Sequence, residues 1–310
     1  MSIKHRLREF KAGMEPSIKE TKFMLGRIKQ SPLSVFGIAI ILFYIGIAIL
    51  APLLAPPTLK DPYMIPRERF YPTPQPPSEK HPFGTTEDQL DIFYGTIWGT
   101  RIAFWVGLWV VAASLAIGLV VGCIAGYYGG IIDELLMRFT DIIIAFPSLV
   151  LAIAIVAALG KSLDNVLLAL VLVGWPGYTR LIRGEILKAK QDDYVEAAKA
   201  IGASDFRTLF RHIIPNTIYP VVIVASLDIG AIVLTAAALS FLGLGSPSGY
   251  ADWGQLITIS QNWIYGSSQN PWEYWYTFII PGIFIFTFVL GWNLLGDAFR
   301  DILDPTLRRR

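Results

Sequence analysis

Glu196-Ala197-Ala198-Lys199-Ala200-Ile201-Gly202, followed by Arg211-His212-Ile213-Ile214-Pro215-Asn216, is the stretch that decides how this sequence is read. It is charged and rich in strong helix formers, yet it is set between long apolar runs. Crossing a hydrocarbon core of roughly 30 Å takes about 20 apolar residues. Runs of that kind lie at 34–54, 102–126, 142–160, 163–181, 218–242 and 277–297. Of the 310 residues, 54% are hydrophobic and 16% charged, with a mean hydropathy of +0.51. A soluble domain carries about a quarter charged residues. The pattern predicts an all-α membrane protein with six transmembrane helices.

Lysine and arginine placement orients those spans. Lys4, Arg6, Arg8, Lys11, Lys19, Lys22, Arg27 and Lys29 precede the first run, more basic residues fall in 180–217, and Arg300 with Arg308, Arg309 and Arg310 follows the last. Loop 243–276 has neither lysine nor arginine. Both termini and the segment 182–217 are therefore expected in the cytosol, with loops 55–98 and 243–276 outside. The chain divides into a polar N-terminal segment (1–32), a first span (33–54), a proline-rich outer loop (55–98), a five-helix core (99–297) and a basic tail (298–310). The first run is too long, and follows too much polar sequence, for a cleavable leader. Residues 17–30 place Ile18, Leu25 and Ile28 near one helical face among lysines, which suits an amphipathic helix lying on membrane lipid.

Several function classes are excluded. A net charge of +2 gives no case for nucleic acid, and the lone Cys123 and the scattered His5, His81 and His212 give no metal-ligand spacing. Gly160-Lys161-Ser162 resembles the end of a phosphate loop, but Ile155 stands where that loop needs glycine. The tripeptide reads as a turn, and the chain is expected to bind no cofactor and no nucleotide itself. Paired carboxylates, or a nucleophile with its base, are missing too, so the chain is not expected to be an enzyme.

Residues 194–201 read as one helix, Gly202 as its left-handed stop, and Ser204 as the cap of a second short helix with Asp205 in its first turn. Phe206, Leu209, Phe210 and Ile213 then share one apolar face, and Asn216 is placed to cap span five. An apolar face on a charged helix pair asks for contact with protein, so the segment reads as a handle for a soluble partner. Gly118, Gly122 and Gly126, with Ser114 one step back, make a flat stripe for close helix packing, from this chain or another. Asp228 lies about 11 residues, or roughly 16 Å, into span five. Facing lipid it would cost about 3 kcal/mol, so it turns to the bundle interior, as lining of a pathway or as a structural hydrogen-bond partner. Asp141, Asp164, Asn165, Asn293 and Asp297 sit near span ends, where hydration accounts for them. Pro147, Pro176 and Pro281 interrupt spans, which favours a bundle that flexes. Pro52 to Pro82 is expected to be extended loop. Trp253, Trp263, Tyr265, Trp272, Tyr274, Trp275 and Tyr276 fit an aromatic belt at the outer interface.

Glu196, Ala197, Ala198 and Gly202 with distal Pro215 resemble the E-A-A-x-x-x-G signature of ABC importer permease subunits. Arg211-His212-x-x-Pro215-Asn216 is similar to its form in peptide-type importers. His81-Pro82-Phe83-Gly84-Thr85, the run Ala238 to Gly245 with Trp253-Gly254, and Leu303-Asp304-Pro305 resemble the dipeptide/oligopeptide C-type permeases. The likeness covers nearly the whole chain. It departs where the family usually has Asp and G-R-D: here stand Thr86 and Gln89-Leu90-Asp91, and only Asp91, Gly99 and Arg101 keep the pattern. Ala236 also replaces a usual glutamate.

The resemblance implies a type I ABC importer-like permease fold in the cell membrane. It implies a second homologous permease subunit, two cytosolic ATPase subunits that use ATP and magnesium, and an extracytoplasmic solute-binding protein. It makes Glu196, Ala197, Ala198, Ile201, Gly202, Phe206, Leu209, Phe210, His212 and Pro215 the ATPase-coupling residues. The implied cargo is a dipeptide or oligopeptide, with oligosaccharide or nickel as alternatives inside the family. A secondary transporter using Asp228 as an ion site is the rival class.

Overall fold

In hydrocarbon every backbone N–H and C=O must be paired within its own segment, so long apolar runs form helices. The computed structural model describes residues 31–67, 71, 73–266 and 270–303. The amphipathic segment expected at 17–30 and most of the basic tail lie outside them. Helix α1 is Pro32–Leu54, α2 Ile92–Tyr128, α3 Gly130–Ile144, α4 Ser148–Leu159 and α5 Leu163–Ala189. Then come α6 (Asp193–Ala200), α7 (Asp205–Phe241), α8 (Trp253–Ile259) and α9 (Tyr276–Leu303). Short polar side chains cap several of them: Ser31, Asp91 and Ser162 accept from the amides of Ser34, Tyr94 and Asn165.

Helices α1, α2, α5, α7 and α9 are each long and apolar enough to cross a membrane. The sixth expected span, 142–160, is not a straight helix. Helices α3 and α4 meet at an angle of 85° and make a sixth crossing only as a bent pair. Pro147 offers no N–H and disfavours helical backbone at Phe146, so the run turns at 145–147. One boundary also moves. α2 starts at Ile92 rather than near 102, so the outer loop ends at Asp91 rather than at 98. α1 ends at Leu54, as the expected first span does, so Pro52 lies inside the helix and not in the extended loop expected from Pro52 to Pro82. Pro52 cannot donate to the carbonyl of Ala48, and Arg101 Nε occupies that carbonyl at 2.6 Å. The indole of Trp98 donates to Ala55 O at 2.9 Å, so α2 closes the end of α1.

The glycine stripe settles which helix α2 embraces. A Cβ on Gly118 would stand 2.5 Å from Tyr178 Cβ, and one on Gly122 would stand 2.8 Å from Thr179 O. One on Gly126 would stand 3.1 Å from Arg183 O. The partner is α5 of the same chain. Elsewhere α9 packs against both α7 and α1. An aromatic cluster fills the centre, where buried Phe288 has ring centroids of Phe104 and Tyr44 at 5.1 and 5.3 Å.

The two long loops fold onto each other at one end of the bundle. Ile65 N donates to Gly249 O and Ala251 N to Tyr63 O, each at 2.8 Å. Trp253 and Tyr276 are not belt residues. Both are buried, and the Trp253 indole donates to Thr96 O at 3.0 Å. Trp263 donates to Glu87, whereas Tyr265, Trp272 and Trp275 are exposed. Behind Trp253 lies a polar knot. Buried Asp252 accepts from Ser240 Oγ at 2.6 Å, Ser246 Oγ at 3.0 Å and Gly254 N at 2.9 Å. Burial pushes its carboxyl upward while those donors pull it back. A Cβ on Gly254 would lie 2.3 Å from Ala237 O. The Ala238–Gly245 and Trp253-Gly254 stretches are thus spent on joining α7 to the outer loop.

Candidate functional site

At the other end of the bundle, α6 stops as its sequence requires. Gly202 takes φ +80°, its amide bonds to Lys199 O at 2.9 Å, and the amide of Ala203 bonds to Ala198 O at 3.0 Å. This crossed pair satisfies the last carbonyls of the helix. Ser204 then accepts from Arg207 N. No separate second helix follows. The backbone passes from Asp205–Arg207 through a π-helical segment, Thr208–Ile213, directly into Ile214–Phe241. Pro215 accounts for the widened turn, because its ring would crowd the carbonyl of Arg211 in an ordinary α-turn. Asn216 therefore caps nothing. It lies inside α7, and its Nδ2 donates to His212 O at 2.6 Å.

The expected apolar face divides in two. Ile213 is fully buried and Leu209 half-buried, but Phe206 and Phe210 point outward with ring centroids 4.4 Å apart. Ile201 is 84% exposed beside the glycine. Glu196, Ala197 and Pro215 are exposed, His212 is half-buried, and Ala198 with Val195 anchors α6 inward. What fixes the segment to the bundle is a residue that sequence reading missed. Tyr127, at the end of α2, donates its hydroxyl to Asp205 Oδ1 at 2.7 Å. Lys190, just past α5, donates to Tyr127 O at 2.7 Å, and Lys199 of α6 stands 5.8 Å from the Tyr127 ring. Contacts from α6, α7 and the end of α5 thus converge on this one tyrosine of α2.

Asp228 faces inward. The Tyr178 hydroxyl donates to its Oδ2 at 2.6 Å, joining α5 to α7. Tyr178 is the same residue that Gly118 makes room for, so the stripe and the acid belong to one arrangement. Nothing in the local sequence marks this tyrosine as the partner. Asp141 is not merely hydrated, since Arg180 Nη2 reaches its Oδ1 at 2.5 Å. Beside it Arg183 grips Asp133 through two contacts of 2.6 Å. Gly160-Lys161-Ser162 is the expected turn, with Gly160 at φ +100° and Ser162 capping α5. Asn165 folds back to donate to Gly160 O at 2.9 Å. Gln89 explains one family departure. It holds φ +58°, a left-handed backbone position that suits glycine. Its side chain holds that strained backbone by donating to Thr73 O at 2.9 Å and accepting from Thr85 Oγ1 at 3.2 Å.

Comparison with known proteins fits this geometry. Residues 118–309 match the family model of the binding-protein-dependent transport system inner membrane component. Residues 22–77 match the N-terminal TM domain of oligopeptide transport permease C. The dipeptide transport system permease protein DppC of Alkalihalophilus pseudofirmus is 40% identical over 282 residues, covering 91% of this chain and 88% of its own. The probable D,D-dipeptide transport system permease protein DdpC of Escherichia coli is 38% identical, covering 93% of each chain. The oligopeptide transport system permease protein OppC of Bacillus subtilis is 35% identical, covering 91% of this chain and 88% of its own. A multi-pass helical bundle with these matches along its length belongs to the inner-membrane component family of binding-protein-dependent transport systems.

Proposed function

We propose that this chain is the C-type permease subunit of an ABC importer for dipeptides or oligopeptides. In this reading it pairs with a second permease, and an extracytoplasmic binding protein delivers the peptide. Two ATPase subunits drive the cycle from the cytosol, where both termini and the 182–217 segment lie. The observation that carries it is the pair Phe206 and Phe210, exposed on a helix–glycine–helix that is latched to the spans through Tyr127 and Asp205. An exposed pair of touching rings at a charged end of a membrane protein fits the cleft of a soluble partner. The names of the relatives supply the peptide class. Alternating access follows when the partner binds one arrangement of the bundle better than the other. The test is uptake of a radiolabelled dipeptide by proteoliposomes holding the whole transporter, against oligosaccharide and nickel controls. Dipeptide uptake that needs this chain supports the reading, and uptake of either control alone refutes the substrate class.

Within this reading the permease leaves nucleotide chemistry to its ATPase partners. Nucleotide photolabelling of the purified subunit is expected to give no saturable signal, and saturable labelling would contradict the assignment. Asp228 with Tyr178 is assigned to the translocation pathway. Asp228→Asn keeps the shape and an acceptor for the Tyr178 hydroxyl but removes the charge, so uptake should fall while assembly with the second permease persists. Normal uptake by Asp228→Asn, together with loss of assembled complex in Asp228→Leu, would make the acid structural. In that case the cost is an unsatisfied partner of about 1–3 kcal/mol.

A further inference from the structure

Arg101 has more donors than the fold uses. Its Nε is taken by Ala48 O, and its guanidinium carbon stands 4.9 Å over the Trp98 ring. Among the described residues its two terminal nitrogens show no hydrogen-bond partner. Arg101 also lines an open groove of about 490 Å³ with Tyr63, Trp105, Leu108 and Trp109. Trp105 and Trp109 stack with centroids 5.6 Å apart and planes 9° from parallel, and about half of each is exposed.

Helix length fixes the depth of this groove. α2 has 37 residues, about 55 Å at 1.5 Å per residue, so it overruns a hydrocarbon core of roughly 30 Å. Its far end reaches the polar cluster at Tyr127 and Asp205. Counting about 20 residues back from there brings the opposite hydrocarbon boundary near Trp105. Arg101 then sits one turn further out, among lipid headgroups, and the groove descends from it along the apolar part of the helix.

We propose that this groove is a binding site for one membrane phospholipid. Its phosphodiester lies on the terminal nitrogens of Arg101, and an acyl chain lies over Trp105 and Trp109. A planar guanidinium can hold two phosphate oxygens at once, and indoles are favoured at the headgroup boundary. The bound lipid would also hold in place the arginine that closes the gap left by Pro52 in α1. Assigning the lipid to the outer leaflet rests on the orientation proposed above, whereas binding itself can be measured in detergent without reference to sidedness.

The test is native mass spectrometry of the full chain titrated with dioleoylphosphatidylglycerol or with dioleoylglycerol, which lacks the phosphate. The phospholipid is expected to bind wild type about fivefold more tightly than Arg101→Gln. A Trp105→Leu, Trp109→Leu variant, which leaves the Arg101–Ala48 bond untouched, should also lose phospholipid. Lipid with brominated chains should quench tryptophan emission in wild type, and less in that pair variant. Equal binding by wild type and both variants overturns the proposal, as does equal binding of dioleoylglycerol. Competition by inorganic phosphate would mean a site for the free anion, and loss of quenching in the assembled transporter would mean that protein covers this face. Either result also overturns it.

Discussion

Glu196→Ala combined with Gly202→Pro is expected to insert normally and to lose uptake by at least tenfold. Gly202 holds φ +80°, whereas proline is locked near −65° and has no N–H to give Lys199 O. The turn that sets α6 against α7 then cannot form, and the exposed Ile201 is displaced relative to Phe206 and Phe210. Glu196 adds an exposed charge in the first turn of α6, where the helix dipole favours it. A tenfold loss corresponds to about 1.4 kcal/mol of partner contact, which is modest for losing paired aromatic anchors. Pull-down of the ATPase from detergent extract should fall in parallel. Insertion with unchanged ATPase recovery and unchanged uptake would remove the coupling role from this segment.

The second large effect is expected at the helix stripe. Gly118→Val with Gly122→Val places side chains where even a Cβ would lie 2.5 Å from Tyr178 Cβ or 2.8 Å from Thr179 O. Overpacking costs about 1–3 kcal/mol per site, and here a backbone carbonyl cannot step aside. Displacing Tyr178 would also strip Asp228 of its donor. The chain carries its own reporter, because Cys123 is its one cysteine and is buried directly after Gly122. Heating in detergent with a thiol-reactive dye should show a clearly lower midpoint for the double variant. Gly46→Ala is the control, since a Cβ there meets nothing within 4 Å. Equal midpoints for the double variant and wild type would show that α2 and α5 are not held by this stripe.

Local chemistry made some features legible in the sequence. Gly202 and Ser204 announced a helix stop and a cap because each acts on backbone groups within a few residues. The glycine spacing announced close packing, although α5 as the partner depended on the bundle. Features set by distant residues were not legible. Tyr178 meets Asp228, and Tyr127 meets Asp205, across 50 and 78 positions of sequence. Trp253 and Tyr276 looked like boundary residues because composition cannot separate a ring facing lipid from one under a folded loop. The break before Pro147 was masked by its neighbours. The run 142–160 is apolar enough for a span, and nothing nearby says whether proline will kink a helix or end it.

The continuity of α7 through its π-helical turn has a mechanical consequence. From Asp205 to Phe241 it is 37 residues long, a rod of about 55 Å. On that length a tilt of about 5° moves one end by about 5 Å relative to the other. One end carries Phe206 and Phe210, and Ser240 at the other is fastened to Asp252. Under the proposed function, a push on the aromatic pair travels to Ser240 along this one helix, and the π-helical turn at Thr208–Ile213 and Pro220 are the places where it can bend. In the proposed cycle, contact at the aromatic pair and the contacts of Ser240 with Asp252 are two ends of one helix.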